Sequence, residues 1–344
     1  MTDSSGLEVN EVDRDDGFVP RFWLRNGHAQ TLWRKFVSAP QIDQRRQRLE
    51  LSDGDFIDID WHDPVLPESA RTGTIVLLLH GLCGCSRSGY ILSLQDRLGK
   101  AGYLSVAMNF RGCSGEANRL AKAYHSGVTG DLAEVFAALQ KQFPDHRFAV
   151  AGFSLGANVL LKWLGETGIE MPVSRAVAVS TPFNLTLCSR AMLTGLSQFY
   201  GRYFLRRLVA EVESKKEHFQ RTDNDAQLAR LRALGDLSEL NSLWDFDDRV
   251  TAPLHGFQNA SDYYAQCSSM QFLHGIRVPT LLLQSRDDPI IPPAALPGDR
   301  HLSDNLMTEF SDYGGHVGFA AATDRLWMEN RIAGFIAGDC EPAP

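Results

Sequence analysis

The sequence has no apolar run near the roughly 20 residues that cross a bilayer; its longest, at 75–79, 176–179 and 281–283, span only a few residues. A transmembrane segment is excluded, while peripheral membrane contact stays open. Basic residues are not in surplus either. The chain has 34 Lys+Arg against 42 Asp+Glu, a formal net charge of -8, which argues against a nucleic-acid partner. Residues 1–16 are acidic, with no basic segment leading into an apolar one, so no secretory signal is expected. Cysteine is sparse and scattered: Cys83, Cys85, Cys113, Cys188, Cys267 and Cys340 are the six in 344 residues. That pattern does not suit a disulfide scaffold, and a cytoplasmic setting is expected. Cys83, Cys85 and Cys113, with His80 nearby, lack the paired C-x-x-C spacing of a zinc site, so buried thiols and no metal are expected.

What is present is an ordinary globular composition, 44% hydrophobic and 22% charged, which rules out collagenous or disordered chains. The length suits about two domains, or one large α/β domain with an insertion. No internal repeat is visible, and only 1–16 and 341–344 read as loosely ordered. Apolar runs at 74–80, 103–109, 147–152, 175–180, 279–285 and 306–310 alternate with amphipathic stretches at 90–100, 128–142, 157–165 and about 324–337. This rhythm predicts an α/β fold, a mostly parallel central sheet with helices on both faces. Residues 48–52 and 56–61 alternate around Asp53-Gly54, a hairpin signal that predicts an antiparallel edge.

Between 181 and 277 the strand rhythm stops and the chain becomes charged and helix-prone, notably at 199–212 and 226–234. A helical lid insertion is expected there. It divides the chain into 1–180 (an N-terminal segment and the first part of the core), 181–277 (the lid) and 278–344 (the rest of the core). Within 202–221, Arg202, Arg206, Arg207, Lys215 and Lys216 mix with Leu205, Leu208, Val209 and Val212. Glu211, Glu213 and Glu217 dilute that charge, so a solvated helix with one face on the core is expected in preference to a lipid-docking one.

Directly after the run ending at Val150 comes Gly152-Phe153-Ser154-Leu155-Gly156, a G-x-S-x-G in strand–turn–helix context. The two glycines let the chain turn sharply and leave the Ser154 hydroxyl projecting, while the Leu155 N–H at a helix start is free to stabilise an oxyanion. A serine nucleophile needs a base and a group that orients the base. Asp287-Asp288 follows the run at 279–285, and His316 follows the run at 306–310. The order Ser154, Asp288, His316 is that of α/β-hydrolases. His316 would take the serine proton, and a carboxylate would fix its tautomer. Asp288 is favoured because its spacing to Pro292 resembles the acid loop of that superfamily. Asp287 would then cap the turn or bind backbone N–H groups, with the reversed roles left open. The second oxyanion donor is expected in the loop His80-Gly81-Leu82-Cys83-Gly84-Cys85-Ser86, at the Leu82 N–H. His80 would support this loop, and neither Cys83 nor Cys85 has a nucleophile's setting.

Across nearly its full length the sequence resembles the YheT-like α/β-hydrolases, related to the alpha/beta hydrolase domain-containing proteins 1 and 3 and to plant embryogenesis-associated hydrolases. The matching segments are 23–32 (WLRNGHAQTL), His80-Gly81-Leu82 with Ser88-Gly89-Tyr90, and 109–116 (NFRGCSGE). Tyr124-His125-Ser126-Gly127, 152–158, Asp287-Asp288-Pro289 and 314–319 (GGHVGF) complete them. Relatives often carry a bulkier or acidic residue where this chain has Cys83-Gly84-Cys85. The resemblance implies a cofactor-free serine esterase that cleaves carboxylic esters through an acyl-enzyme. Its partner would be a small-molecule or lipid ester, with short-chain, acylglycerol and phospholipid activities among relatives. The membrane anchor of the eukaryotic relatives is not carried over, because no N-terminal hydrophobic anchor is seen. The alternatives are a thioesterase or amidase on the same triad, or a hydrolase-fold binding protein without turnover. His28 and His125 precede the serine, contrary to the superfamily order, and are expected to tie loops together. Arg111 and Glu116 are expected in a supporting ion pair.

Overall fold

The computed structural model describes residues 18–168 and 172–338; the terminal segments read as loosely ordered and Cys340 lie outside them. Eight strands form one sheet: β1 (Arg45–Glu50), β2 (Phe56–His62), β3 (Thr74–Leu79), β4 (Leu104–Asn109), β5 (Arg147–Phe153), β6 (Val173–Val179), β7 (Thr280–Ser285) and β8 (Leu306–Ser311). Their spatial order is β1-β2-β4-β3-β5-β6-β7-β8. From β4 across to β8 every neighbouring pair is parallel, and β1 and β2 make the antiparallel edge. This is the mostly parallel α/β architecture expected from the apolar runs.

The helices are α1 (Gly27–Phe36), α2 (Gly89–Lys100), α3 (Thr129–Gln142), α4 (Leu155–Thr167), α5 (Leu185–Ala191), α6 (Gln198–Arg221), α7 (Asp225–Arg232), α8 (Leu243–Phe246), α9 (Ala252–His255), α10 (Ala260–Cys267) and α11 (Trp327–Ala337). Each side chain along β3 is buried because both sheet faces are covered. Ile75, Leu77 and Leu79 join one core layer with Leu132, Phe136, Leu160 and Trp163 of α3 and α4. Val76 and Leu78 join the other with Ile91, Leu94, Ile332 and Phe335 of α2 and α11. At the open edge the hairpin register sets Arg46 opposite Asp60 and Arg48 opposite Asp58. Each guanidinium grips its carboxylate through two bonds of 2.8 and 2.9 Å, so the buried acids of β2 are neutralised across the strands.

Elements between β6 and β7 are all helical. Leu205, Phe219, Leu228, Leu231 and Phe246 give this stretch a small core of its own. Four of its short helices, α5, α7, α8 and α10, start at side-chain caps: Asn184, Asn224, Ser242 and Asn259 accept from the N–H groups of Leu187, Gln227, Asp245 and Asp262, which is how short helices satisfy their first free donors. One long helix, α6, spans the stretch anticipated at 199–212. It packs Gly201, Leu205 and Phe219 inward, the one-faced packing anticipated for it. Among the described residues no helix is long and apolar enough to cross a membrane.

Candidate active site

The site lies where the parallel strands end. β5 stops at Phe153 and α4 starts at Leu155, two residues before the stretch expected at 157–165, so Ser154 alone makes the turn. Its φ of 53° is strained for a residue with a Cβ. The turn is this tight because the strand and helix approach closely: a Cβ on Gly152 would lie 2.6 Å from the Gly156 carbonyl oxygen. The Ser154 N–H donates to Val179 O at 2.9 Å, which fixes the turn to the end of β6.

His316 follows β8 and Asp288 follows β7. His316 Nε2 lies 3.0 Å from Ser154 Oγ, and His316 Nδ1 lies 2.8 Å from Asp288 Oδ2. Asp288 is buried, and its Oδ1 accepts from the N–H groups of Ile290 (2.8 Å) and Ile291 (3.1 Å), which holds the carboxyl group in place. The neighbouring Asp287 points elsewhere and accepts from Gly315 N–H at 2.9 Å. Burial raises its carboxyl above the ordinary range, opposed by the Gly315 bond. The structure thus brings Ser154, His316 and Asp288 into one hydrogen-bonded chain and sets Asp287 on the backbone of the histidine loop.

Helix α1, which the sequence reading did not anticipate, buttresses this arrangement. Asn26 caps it by accepting from Ala29 N–H. Thr31 Oγ1 accepts from His316 N–H at 2.8 Å, and Gln30 Oε1 accepts from Ala320 N–H at 2.7 Å. Gly27 lets the helix lie directly on the acid loop, since a Cβ there would come within 1.7 Å of the Asp287 carbonyl oxygen. The segment 23–32 was noticed only as part of the family resemblance; nothing in its spacing showed that it meets a loop almost 300 positions later.

The loop after β3 is held by two tyrosines. The Tyr90 hydroxyl accepts from Gly81 N–H and the Tyr124 hydroxyl from Cys83 N–H, each at 2.9 Å. Between them the Leu82 N–H has no hydrogen-bond acceptor among the described residues. His80 is buried behind the loop: its Nε2 accepts from Phe110 N–H at 3.1 Å, so its Nδ1 donates to Gly81 O at 2.8 Å. Burial lowers its pKa to about 4 and keeps it neutral.

Two cavities meet at the serine. A pocket of about 110 Å³ beneath the helical stretch is lined by Ser154, Leu155, Leu185, Met192, Phe204 and Phe246 among others. A cleft of about 330 Å³ between α1 and α6 is lined by Leu82, Ser154, His316, Thr31, Tyr200 and Tyr203 among others. At the wall of the pocket, Asp247 starts a π-helical turn, Asp247–Thr251. Its carboxyl accepts from Tyr264 and Thr251 hydroxyls at 2.6 Å each, and burial raises it to about 6.

The remaining candidates serve as supports. His28 stacks on Tyr200 and bonds its hydroxyl at 3.1 Å, which ties α1 to α6. His125 lies 4.5 Å from the His255 ring and accepts from Gly127 N–H at 3.2 Å; burial, reinforced by His255, holds it well below the ordinary imidazole range. Arg111 and Glu116 each form ion pairs, but not with one another. Arg111 bonds Asp131, Asp53 and Asp55, and Glu116 bonds Arg48. The five described cysteines are free, and burial pushes the Cys83 thiol up to about 12, leaving little thiolate at neutral pH.

Sheet order and strand-end site together define an α/β-hydrolase. Residues 74–321 match the alpha/beta hydrolase fold family, and the chain belongs to it. It is 37% identical over 340 residues to the YheT protein of Escherichia coli (strain K12), covering 98% of this chain and 97% of that one. To the phospholipase ABHD3 of Homo sapiens it is 30% identical over 309 residues, covering 88% of this chain and 73% of the other. The solved structure of the Pyrococcus furiosus esterase Pf2001 superposes with a TM-score of 0.54 at 17% identity, over 86% of this chain and 93% of that one, a likeness of fold. Within its family the chain is a YheT-like hydrolase of the esterase and lipase type.

Proposed function

We propose that the chain hydrolyses small-molecule or lipid carboxylic esters through an acyl-enzyme on Ser154, and the observation that carries this reading is the continuous hydrogen-bonded chain Ser154–His316–Asp288. His316 Nε2 takes the hydroxyl proton as Ser154 Oγ attacks the carbonyl carbon. The oxyanion is held by the N–H groups of Leu82 and Leu155, each without a competing partner inside its loop or helix. Collapse expels the alcohol, which leaves with the proton from His316. Water then attacks the acyl-enzyme with His316 again as base, and the acid departs. Asp288 holds His316 in the tautomer that leaves Nε2 free to accept. In this reading the 110 Å³ pocket takes the acyl group and the 330 Å³ cleft the alcohol.

Residues 181–277 act as a lid over a core made of 1–180 and 278–344, a division supported by the Met192, Phe204 and Phe246 walls of the pocket. Free thiols at all five described cysteines suit a cytoplasmic protein. Kinetics of Ser154→Ala on p-nitrophenyl esters test the reading. Turnover should fall at least about 10³-fold with an unchanged thermal midpoint; residual activity near wild type would refute it. Faster turnover of matched thioesters or amides than of esters would shift the substrate class while keeping the triad.

A further inference from the structure

Large hydrophobic side chains exposed to solvent are concentrated in two segments. Of eleven among the described residues, nine lie within 18–36 and 185–210, including Phe22 (84% exposed), Phe36 (79%) and Phe199 (61%). The same two segments hold eight Lys and Arg and no Asp or Glu, in a chain of net charge -8. They lie side by side. The His28 ring of α1 stacks on Tyr200 of α6, and Lys35 Nζ sits 4.5 Å from the Tyr203 ring centroid. Helical spacing puts Leu32, Lys35 and Phe36 on one face of α1, and Phe199, Arg202, Tyr203 and Arg206 on one face of α6 opposite buried Gly201 and Leu205. Arg34 is taken by Glu329, whereas Lys35, Arg202 and Arg206 join no ion pair among the described residues. The glutamates that dilute the charge of α6 begin only at Glu211. Between the two helices opens the cleft that holds Ser154 and His316.

Exposed aromatics ringed by unpaired cations are complementary to anionic headgroups above acyl chains. A second copy of the chain fits this face poorly, because a twofold contact would set cations against cations. We propose that α1 and the N-terminal half of α6 dock the molecule on an anionic phospholipid bilayer. Phe36 and Phe199 enter the headgroup boundary, Lys35, Arg202 and Arg206 meet lipid phosphates, and the mouth of the Ser154 cleft faces the membrane.

Flotation of Ser154→Ala protein with vesicles tests this, and it reads docking independently of the ester hydrolysis proposed above. Binding is expected to vesicles of phosphatidylcholine with about one-third phosphatidylglycerol, not to phosphatidylcholine alone, and to weaken as salt is raised. The pair Arg202→Gln and Arg206→Gln should lower vesicle affinity about 25-fold, about fivefold for each cation. The pair Phe36→Ser and Phe199→Ser should abolish flotation. These exposed changes should leave the thermal midpoint unaltered, which serves as the folding control. Absence of flotation with the anionic vesicles, or flotation unchanged in both variants, would overturn the proposal. So would a sedimenting dimer that Phe36→Ser and Phe199→Ser dissociate, since it would assign the face to a second copy.

Discussion

Asp287 and Asp288 are adjacent carboxylates with different work. Asp288 accepts from two backbone N–H groups through one oxygen and faces His316 Nδ1 with the other, so an amide there would offer an NH₂ to the imidazole and favour the wrong tautomer. Asp287 needs only an acceptor for Gly315 N–H, which asparagine also supplies. Asp288→Asn should therefore lower kcat about 10³- to 10⁴-fold, and Asp287→Asn less than about tenfold. Steady-state kinetics of the two variants check the ranking, and the reverse order would exchange the two roles. The strand–turn–helix setting of Ser154 and the two strand-end positions of Asp288 and His316 were legible because each is a local pattern. Thr31, Tyr90 and Tyr124 stand out only within the segments of the family resemblance, since each reaches the site from a distant segment through one hydroxyl, with no spacing rule to mark its role.

At the scale of elements, the buried strands could be read directly, because a strand covered on both faces must be apolar without interruption. Helix α1 lies outside that pattern: the side it buries is Gly27, Gln30 and Thr31 while Leu32 and Phe36 face solvent, and its place is set by close contact with the loops after β7 and β8. That contact makes α1 a functional element. Gly27→Ala would put a methyl group into the Asp287 carbonyl, forcing the helix away and withdrawing Thr31 from His316 N–H. A loss of about 1–3 kcal/mol in stability is expected, with a fall in kcat beyond what the small volume change alone would give. Urea unfolding and single-turnover kinetics together check it. Normal stability with normal kcat would show that α1 does not hold the histidine loop.

Across the whole molecule, buried His80 and half-buried His125 and His255 are kept neutral by desolvation, His80 at about 4 and His255 at about 3. Unfolding exposes them to protonation near pH 6.5. The unfolded chain binds more protons than the native one below that pH, so the stability they contribute is complete above about 6.5 and is lost as pH falls toward about 4. His80 and His255 should each remove on the order of 1–2 kcal/mol by pH 5. Urea midpoints at pH 7 and pH 5 should differ accordingly, with the gap reduced in His255→Asn. The order of strands was foreseeable only as a mostly parallel sheet, since sequence rhythm does not tell which strands become neighbours. The shape of the helical stretch between β6 and β7 depended on caps and on a small core that periodicity alone did not delimit.

Reaction of the native protein with a fluorophosphonate, followed by mass spectrometry of the digested adduct, tests the central claim most directly, because only an activated hydroxyl attacks this phosphorus at neutral pH. A single adduct on the Ser154 peptide, lost in His316→Ala, is the predicted result. An unlabelled Ser154, or labelling that persists at full rate without His316, would contradict it.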